Sequence, residues 1–142
     1  MKTMIVVHCS ATKPSMDIGV KEIREWHVNG NGWSDIGYAY VIRRNGALEL
    51  GRDLDRDGNV DEETGAHAKG FNVNSIGICL VGGISDCGKP DANFTIEQYI
   101  ALDNLIHVIK RSNPIRRVVG HRDLDPSKDC PCFNVKEFVG NK

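Results

Sequence analysis

The chain has 142 residues, of which 40% are hydrophobic and 26% are charged, and its formal net charge is −1 at pH 7. This length and composition predict one globular domain over residues 1–142, with a core that needs no disulfide bonds. The near-neutral charge argues against nucleic acid as a partner, and the lack of a long apolar stretch argues against a membrane span.

The N-terminal part of the chain predicts a strand followed by a helix. The apolar, β-branched run Met4–Cys9 is typical of a buried strand and carries His8 near its end. A helical period starts at Asp17, the expected N-cap, and Asn29-Gly30 is expected to end it. His8 should therefore lie at the carboxyl end of a strand, separated from the helix by a loop.

The middle of the chain predicts a β-hairpin and a further strand. The segments Tyr38–Arg43 and Ala47–Leu50 flank Asn45-Gly46, a dipeptide that tolerates positive φ at both centres of a tight turn. The apolar run Ser75–Val81 is too short for a helix of usual length. We therefore predict a hairpin here and a separate, central strand after it.

The C-terminal part predicts a long helix, a short strand and a last helical turn. Thr95 and Gln98 match a capping box, and apolar residues follow at helical spacing as far as Asn113-Pro114. A strand is expected at Arg117–Val119 and a helical turn at Val135–Val139. Strands alternating with helices predict an α/β fold, with a central mixed β-sheet flanked by α-helices and a ligand site at strand ends.

Two histidines and a cysteine are candidate metal ligands. The chain has five cysteines, an odd number without the spacing of a disulfide framework, so at least one is free or bound to metal. Zinc prefers imidazole and thiolate, and catalytic zinc usually has three protein ligands, which His8, His121 and Cys130 would supply. Spacing alone leaves an ordinary alternative open, because a histidine after a strand is usually hydrogen-bonded and a cysteine is often a small core residue.

Several segments of the chain resemble, in the same order, those of a known family. They are HCSATKPS, REWH, DIGYAYVI, GRD, GAHAKGFN, NSIGICLVGG and KDCPCF. From about residue 5 to residue 138 the chain resembles the phage amidase lysozymes, which are zinc N-acetylmuramoyl-L-alanine amidases related in fold to peptidoglycan recognition proteins. The resemblance implies hydrolysis of the amide bond between N-acetylmuramic acid and L-alanine in peptidoglycan, with one Zn²⁺ as cofactor.

The resemblance also implies roles for five residues. It makes His8, His121 and Cys130 the zinc ligands and assigns Tyr38 and Lys128 to catalysis. Zinc lowers the pKa of a bound water to near 7, and a nearby cation stabilises the developing oxyanion, which suits Lys128. A phenol with an ordinary pKa near 10 is a weak base, so Tyr38 is expected to orient the reacting groups; packing at a sheet edge is its ordinary alternative.

Other histidines and a second thiol near this set have less certain roles. His67, in GAHAKG, matches a family position beside the active-site groove, where we expect contact with substrate or with groups around the metal; a solvated loop histidine is the alternative. Cys132 competes with Cys130, but the intervening proline makes joint coordination awkward, so Cys132 is expected to be packed or exposed. His27 and His107 fall on predicted helices and are expected outside the site.

An acidic segment imitates a calcium-binding loop. Residues Asp53–Thr64 include six acidic residues and one arginine, and Asp53, Asp55 and Asp57 alternate as at the start of an EF-hand loop. The twelfth position is Thr64, which removes the usual bidentate glutamate. A solvated loop is therefore the favoured interpretation, and Ca²⁺ binding the less favoured one.

The biological role has several interpretations at this stage. We expect a monomeric phage endolysin made in the cytoplasm of the producing cell, which acts on the wall after membrane permeabilisation, since no export signal is visible. A cytoplasmic amidase that recycles muropeptides fits equally well. A non-catalytic peptidoglycan receptor is disfavoured, because related receptors without activity commonly lack the ligand that Cys130 supplies. Some phage relatives also bind and inhibit phage RNA polymerase, so regulation of that partner is a third alternative.

Overall fold

The computed structural model describes residues 2–140, which form one β-sheet with surrounding helices. The strands are Met4–Cys9 (β1), Tyr40–Ile42 (β2), Leu48–Leu50 (β3), Ser75–Leu80 (β4) and Arg117–Gly120 (β5). The helices are Val20–Glu25 (α1), Ile96–Ser112 (α2), His121–Leu124 (α3) and Val135–Gly140 (α4), and a π-helical turn, Trp26–Gly30, follows α1. The strand order is β3-β2-β4-β1-β5, and only the β2–β3 pair is antiparallel. The predicted α/β fold with a mixed sheet is confirmed.

The two faces of the sheet are covered differently, because alternate residues of a strand point to opposite faces. On one face, Ile5 and Val7 of β1 pack in the main apolar cluster with Leu102 and Ile106 of α2. Burial of each such side chain contributes roughly 1.5–3 kcal/mol. Val6 belongs to a separate cluster on the other face, and His8 follows it at the same parity. The strand alternation therefore turns His8 away from α2.

Helix α2 starts with the capping box that the sequence predicts. The Gln98 backbone N–H donates to Thr95 Oγ1 at 3.1 Å, and the Thr95 N–H donates to Gln98 Oε1 at 3.0 Å. Gln98 is fully buried, and its Nε2 donates to the carbonyls of Ile42 and Val81 at 3.2 and 2.9 Å. This ties the start of α2 to the ends of β2 and β4. Within residues 2–140, no helix combines the length and apolar character that a membrane span requires.

The first helix starts later than predicted. Its N-cap is Gly19 instead of Asp17, whose carboxylate accepts a hydrogen bond from Arg43 at 2.9 Å. The first N–H groups of the helix have no backbone partner within it: Glu22 accepts from Gly19, and Glu49 of β3 accepts from Val20, each at 2.8 Å. A cap supplied by a distant strand is not visible in the local sequence.

The hairpin is confirmed, but its turn differs from the expected form. Of the two central residues only Gly46 has positive φ, at +87°. The side-chain oxygen of Asn45 accepts a hydrogen bond from the Ala47 N–H at 2.9 Å, which stabilises the turn without a left-handed Asn45. The strands are shorter than predicted at the turn, and residues 43–47 connect them.

The segment after β5 starts with a helical turn that the sequence analysis does not predict. Residues His121–Leu124 form one helical turn, α3. The Gly120 N–H donates to Asp123 Oδ2 at 2.8 Å, so a carboxylate in the first turn caps it. This turn fixes the direction in which His121 leaves the sheet.

Candidate metal centre and groove

Three potential metal ligands meet at the carboxyl ends of β1 and β5. One ring nitrogen each of His8 and His121 and the Sγ of Cys130 all lie within 4.8 Å of one another. His8 is the penultimate residue of β1, and His121 directly follows β5. These two strands are parallel neighbours, so their carboxyl ends lie at the same edge of the sheet. The structure thus brings together the three residues that the sequence singled out.

Cys130 reaches this edge from the loop after α3. Its Sγ accepts a hydrogen bond from the Cys9 backbone N–H at 3.1 Å, and its carbonyl accepts one from the Arg122 N–H at 2.8 Å. Backbone groups of β1 and α3 therefore hold Cys130 in place. Cys132 lies elsewhere, with its Sγ 3.4 Å from the carbonyl oxygen of Gly83. The geometry therefore favours Cys130 over Cys132 as the third ligand.

The two histidines of the trio are held in the neutral form. The side chain of His8 is only 1% exposed, and burial lowers its pKa well below the ordinary 6.5, with His67 and His121 adding to the effect. Burial also lowers the pKa of His121, where Asp125 opposes the shift and Lys128 adds to it. Neutral imidazole is the form that binds metal. Two neutral imidazoles and one thiol are a donor set that fits zinc.

His67 lies directly beside the metal centre. Its Nδ1 is 2.8 Å from His8 Nε2, and its Nε2 is 3.1 Å from the hydroxyl oxygen of Ser75. Burial lowers the pKa of His67 to about 4, and the charges of His121 and Lys2 add to the effect. Sequence reasoning placed His67 near the site but missed Ser75. The only local signal for Ser75 is a hydroxyl at the start of an otherwise apolar strand.

The Tyr38 ring also packs near the ring of His8. The centroids of the two rings are 5.1 Å apart. Burial raises the pKa of the Tyr38 phenol well above 10, and nearby thiols, those of Cys79, Cys130 and Cys9, add to the effect. The phenol therefore stays protonated and is suited to donate a hydrogen bond.

His27 has a structural role in the segment that leads to Tyr38. Its Nδ1 accepts a hydrogen bond from the Gly37 N–H at 2.9 Å, and its ring packs 4.7 Å from that of Trp33 and 5.5 Å from that of Tyr38. His27 therefore steadies the approach of Tyr38 to the centre and is not one of the grouped ligands. His107 is exposed on α2, as expected.

A groove of about 420 Å³ opens beside the trio. His67 and Phe71 line it, as do His121, Lys128 and Trp33. Lys128 is exposed, and its backbone N–H donates to the Asp125 carbonyl at 3.0 Å, within the loop that leads to Cys130. Aromatic faces next to imidazole and ammonium groups suit a substrate with both apolar and polar parts.

The acidic segment contains two overlapping groups of carboxylates. Oxygens of Asp53, Asp55 and Asp57 lie within 4.8 Å of one another, and so do those of Asp55, Glu62 and Glu63. Most of these side chains are exposed. The neighbouring carboxylates, first Asp57 and then Asp55, raise the pKa of Glu62 to about 7. Mutual repulsion is thus the main electrostatic feature of this segment.

Sequence comparison assigns the chain to a family. The profile of a family described as N-acetylmuramoyl-L-alanine amidase matches residues 2–133. The chain belongs to the N-acetylmuramoyl-L-alanine amidase family. The endolysin of Enterobacteria phage K11 is 47% identical to this amidase, over 94% of this chain and 82% of that protein.

Solved structures show the same fold. The endolysin N-acetylmuramoyl-L-alanine amidase of Clostridium intestinale superposes with a TM-score of 0.79 at 26% identity, covering 99% of this amidase and 82% of that chain. The peptidoglycan recognition protein SA of a bumblebee gives a TM-score of 0.75 at 25% identity, covering 99% and 81%. The fold implied by the sequence resemblance is therefore confirmed.

Proposed function

We propose that this amidase hydrolyses peptidoglycan with one zinc ion and acts as a phage endolysin. Membership of the family makes the chain an N-acetylmuramoyl-L-alanine amidase, an enzyme that cuts the amide bond between N-acetylmuramic acid and L-alanine. The endolysin role is supported by the similarity to the phage K11 endolysin over most of both chains.

The zinc ion would be held by His8, His121 and Cys130. The observation that carries this assignment is the convergence of two neutral imidazoles and one thiol within 4.8 Å beside a groove. When bound, zinc supplies Lewis acidity: it lowers the pKa of a coordinated water to near 7 and polarises the scissile carbonyl. Three protein ligands leave a position for the reacting groups, as catalytic zinc requires.

Tyr38 and Lys128 would both act on the reacting groups. The protonated phenol of Tyr38, packed against His8, can donate a hydrogen bond that orients the nucleophile or the carbonyl oxygen. The ammonium group of Lys128 borders the groove and can stabilise negative charge that develops on the carbonyl oxygen. Trp33 and Phe71 line the groove and offer apolar contact to the sugar or to the peptide stem.

The decisive experiment is product analysis. Zinc-loaded protein is incubated with intact sacculi and, separately, with soluble muropeptides, and the products are identified by mass spectrometry. We expect new L-alanine amino termini from sacculi, and none with a Cys130→Ser variant. No release from either substrate, or equal release by the variant, would overturn the proposal. Release from muropeptides alone would replace the endolysin role with a recycling role.

Three further expectations are still predictions. RNA polymerase as a partner is checked by a transcription assay with and without the protein. The monomeric state is checked by light scattering. Synthesis in the cytoplasm of the producing cell, with access to the wall after membrane permeabilisation, is checked by fractionating cells before and after lysis.

A further inference from the structure

A chain of hydrogen bonds leads from a loop carbonyl to the metal centre. The Ser75 Oγ lies 2.6 Å from the carbonyl oxygen of Phe71 and 3.1 Å from His67 Nε2. The Nδ1 of His67 lies 2.8 Å from His8 Nε2. Four residues are thus connected without a gap, and both ring nitrogens of His67 are engaged.

The first hydrogen bond of this chain decides the direction of all the others. A carbonyl oxygen only accepts, so Ser75 donates its single hydroxyl hydrogen to Phe71. Ser75 must then accept from His67, so the proton of His67 is on Nε2. A neutral imidazole has one proton, so His67 Nδ1 is bare and accepts from the Nε2–H of His8. A neutral His8 then has its free lone pair on Nδ1.

We propose that Ser75 and His67 are positioning residues that fix the tautomer of His8, so that Nδ1 of His8 is the atom that binds the metal. The inference rests on the proposed zinc function of His8 and adds the ligating atom and the two residues that control it. A metal-bound histidine whose other ring N–H is held by a partner keeps one tautomer and one ring orientation.

The His67 ring has a closely fitting seat between two glycines. A Cβ on Gly77 would lie 2.7 Å from His67 Cγ, and a Cβ on Gly65 would lie 2.9 Å from His67 Cδ2. Gly77 and Ser75 are two residues apart on β4 and therefore face the same side of the sheet. The backbone N–H of His67 donates to Asn72 Oδ1 at 2.9 Å, which holds the loop in place. Any side chain at Gly77 would displace the ring.

The group that accepts the ring N–H of His8 is a second neutral imidazole. In many zinc sites a carboxylate accepts this hydrogen bond instead. A carboxylate would add a negative charge next to a centre that already includes a thiolate. A neutral relay orients His8 just as well and leaves more of the positive charge of a divalent cation available to polarise a carbonyl. The arrangement therefore suits a hydrolytic centre with a cysteine ligand.

Long-range ¹H–¹⁵N NMR correlations of the imidazole rings in the metal-free protein test the tautomers directly. We expect the Nε2–H tautomer for both His8 and His67. In a Ser75→Ala variant, His67 should become a mixture of tautomers because it loses the acceptor of its Nε2–H. A wild-type His8 protonated on Nδ1 would overturn the inference.

Zinc affinity, measured by competition with a chromophoric chelator, gives a second test. Loss of such a partner typically weakens metal binding about 10–100-fold, so we expect roughly tenfold for Ser75→Ala and up to about 100-fold for His67→Phe. Gly77→Ala keeps every ring nitrogen but pushes His67 aside, and it should weaken binding as well. The matched control is His107→Gln on α2, which should bind zinc like the wild type.

Circular dichroism of each metal-free variant shows whether it folds. If His67→Phe does not fold, Ser75→Ala, which leaves the His67 ring in place, is the variant used for the zinc measurement. Folded variants of both Ser75 and His67 that bind zinc within about twofold of the wild type would contradict the inference. Suppose that the Ser75 and His67 variants weaken zinc binding as expected but the wild type releases no amino termini from peptidoglycan. That result would refute the proposed function and leave the positioning role of Ser75 and His67 intact. An active wild type, together with Ser75 and His67 variants whose zinc affinity is unchanged, would refute the positioning role and leave the proposed function intact.

Discussion

The metal centre and the acidic segment both place three candidate ligand atoms within 4.8 Å of one another, yet they are built in opposite ways. In the centre, His8 and His121 lie at the carboxyl ends of two paired strands, are neutral, and lie partly or wholly inside the protein. In the segment, Asp53, Asp55 and Asp57 share a loop, have the same charge and are largely in water. Proximity of ligand atoms is therefore a weak criterion by itself.

The difference lies in what else holds each ligand. In the centre, the Cys9 N–H contacts the sulfur of Cys130 from outside the trio, so its ligands are oriented before any metal arrives. In the segment, carboxylates are partly used by the loop itself: Gly58 donates to Asp53 Oδ2 at 2.9 Å. One feature favours an ion there, because Asp53 Oδ1 is buried and has no hydrogen-bond partner within residues 2–140.

The largest expected effect is on the thiol of the centre. Cys130→Ser should lose stoichiometric zinc and at least about 100-fold in amidase activity, because the third ligand and its negative charge are removed. Cys132→Ser should keep both properties, since its sulfur contacts the Gly83 carbonyl instead. Zinc content by atomic emission and amino-terminus release measure the pair. Metal loss in the Cys132 variant alone would reverse the ligand assignment.

The next effect separates catalysis from metal binding. Lys128→Met should lower kcat about 100-fold, as removal of a group that stabilises an oxyanion usually does, while zinc affinity stays unchanged. Lys110→Met, on the exposed side of α2, is the matched control and should behave like the wild type. An unchanged kcat in the Lys128 variant would leave oxyanion stabilisation to the metal alone.

Lowering the pH should change the contributions of the two regions to folding stability in opposite directions. The folded state lowers the pKa values of His8, His67 and His121. From about pH 6.5 downward, these histidines therefore bind protons in the unfolded chain but not in the folded protein. The metal-free protein should lose up to about 1.4 kcal/mol of stability per pH unit for each ring, and the share of His67 should level off below about pH 4.

Glu62 opposes this trend, because its raised pKa of about 7 lets the native state hold a proton that the unfolded chain releases. Three rings against one carboxylate leave a net loss of stability on acidification. Urea unfolding of metal-free protein between pH 7 and pH 4 measures it, and His67→Phe should flatten the slope. A stability that does not change over this range would show that the rings are not held neutral.

The smallest expected effect lies in the acidic segment. Asp57→Asn should lower the pKa of Glu62 towards its ordinary value of 4.5, because Asp57 is the largest cause of the shift. The carboxylate resonance of Glu62 in an NMR pH titration follows this change, and amidase activity should not respond. A separate experiment tests whether this segment binds Ca²⁺. Calcium titrated into wild-type protein should give no calorimetric heat. Heat that disappears in Asp53→Asn would make the segment a cation site after all.

The regular elements could be predicted where local pattern decides structure. β1, β4 and α2 follow from apolar runs and from the capping box of Thr95 and Gln98. The start of α1 could not be predicted, since Glu49 from another strand satisfies its first N–H. The ligand trio needed a family resemblance, because spacing alone does not show that ends of separate strands meet. The contact between Ser75 and His67 depends on sheet register and strand parity, which the sequence does not state.

The pairing of β1 with β5 has a consequence for the order of events during synthesis. His8 is synthesised well before His121 and Cys130. The β1–β5 ladder brings His121 beside His8, and the loop after α3 then adds Cys130. Contacts between such distant segments form late in folding, because a long loop must close first. An incomplete nascent chain therefore lacks the assembled set of three ligands. A metal ion that needs all three ligands binds only after the sheet has formed.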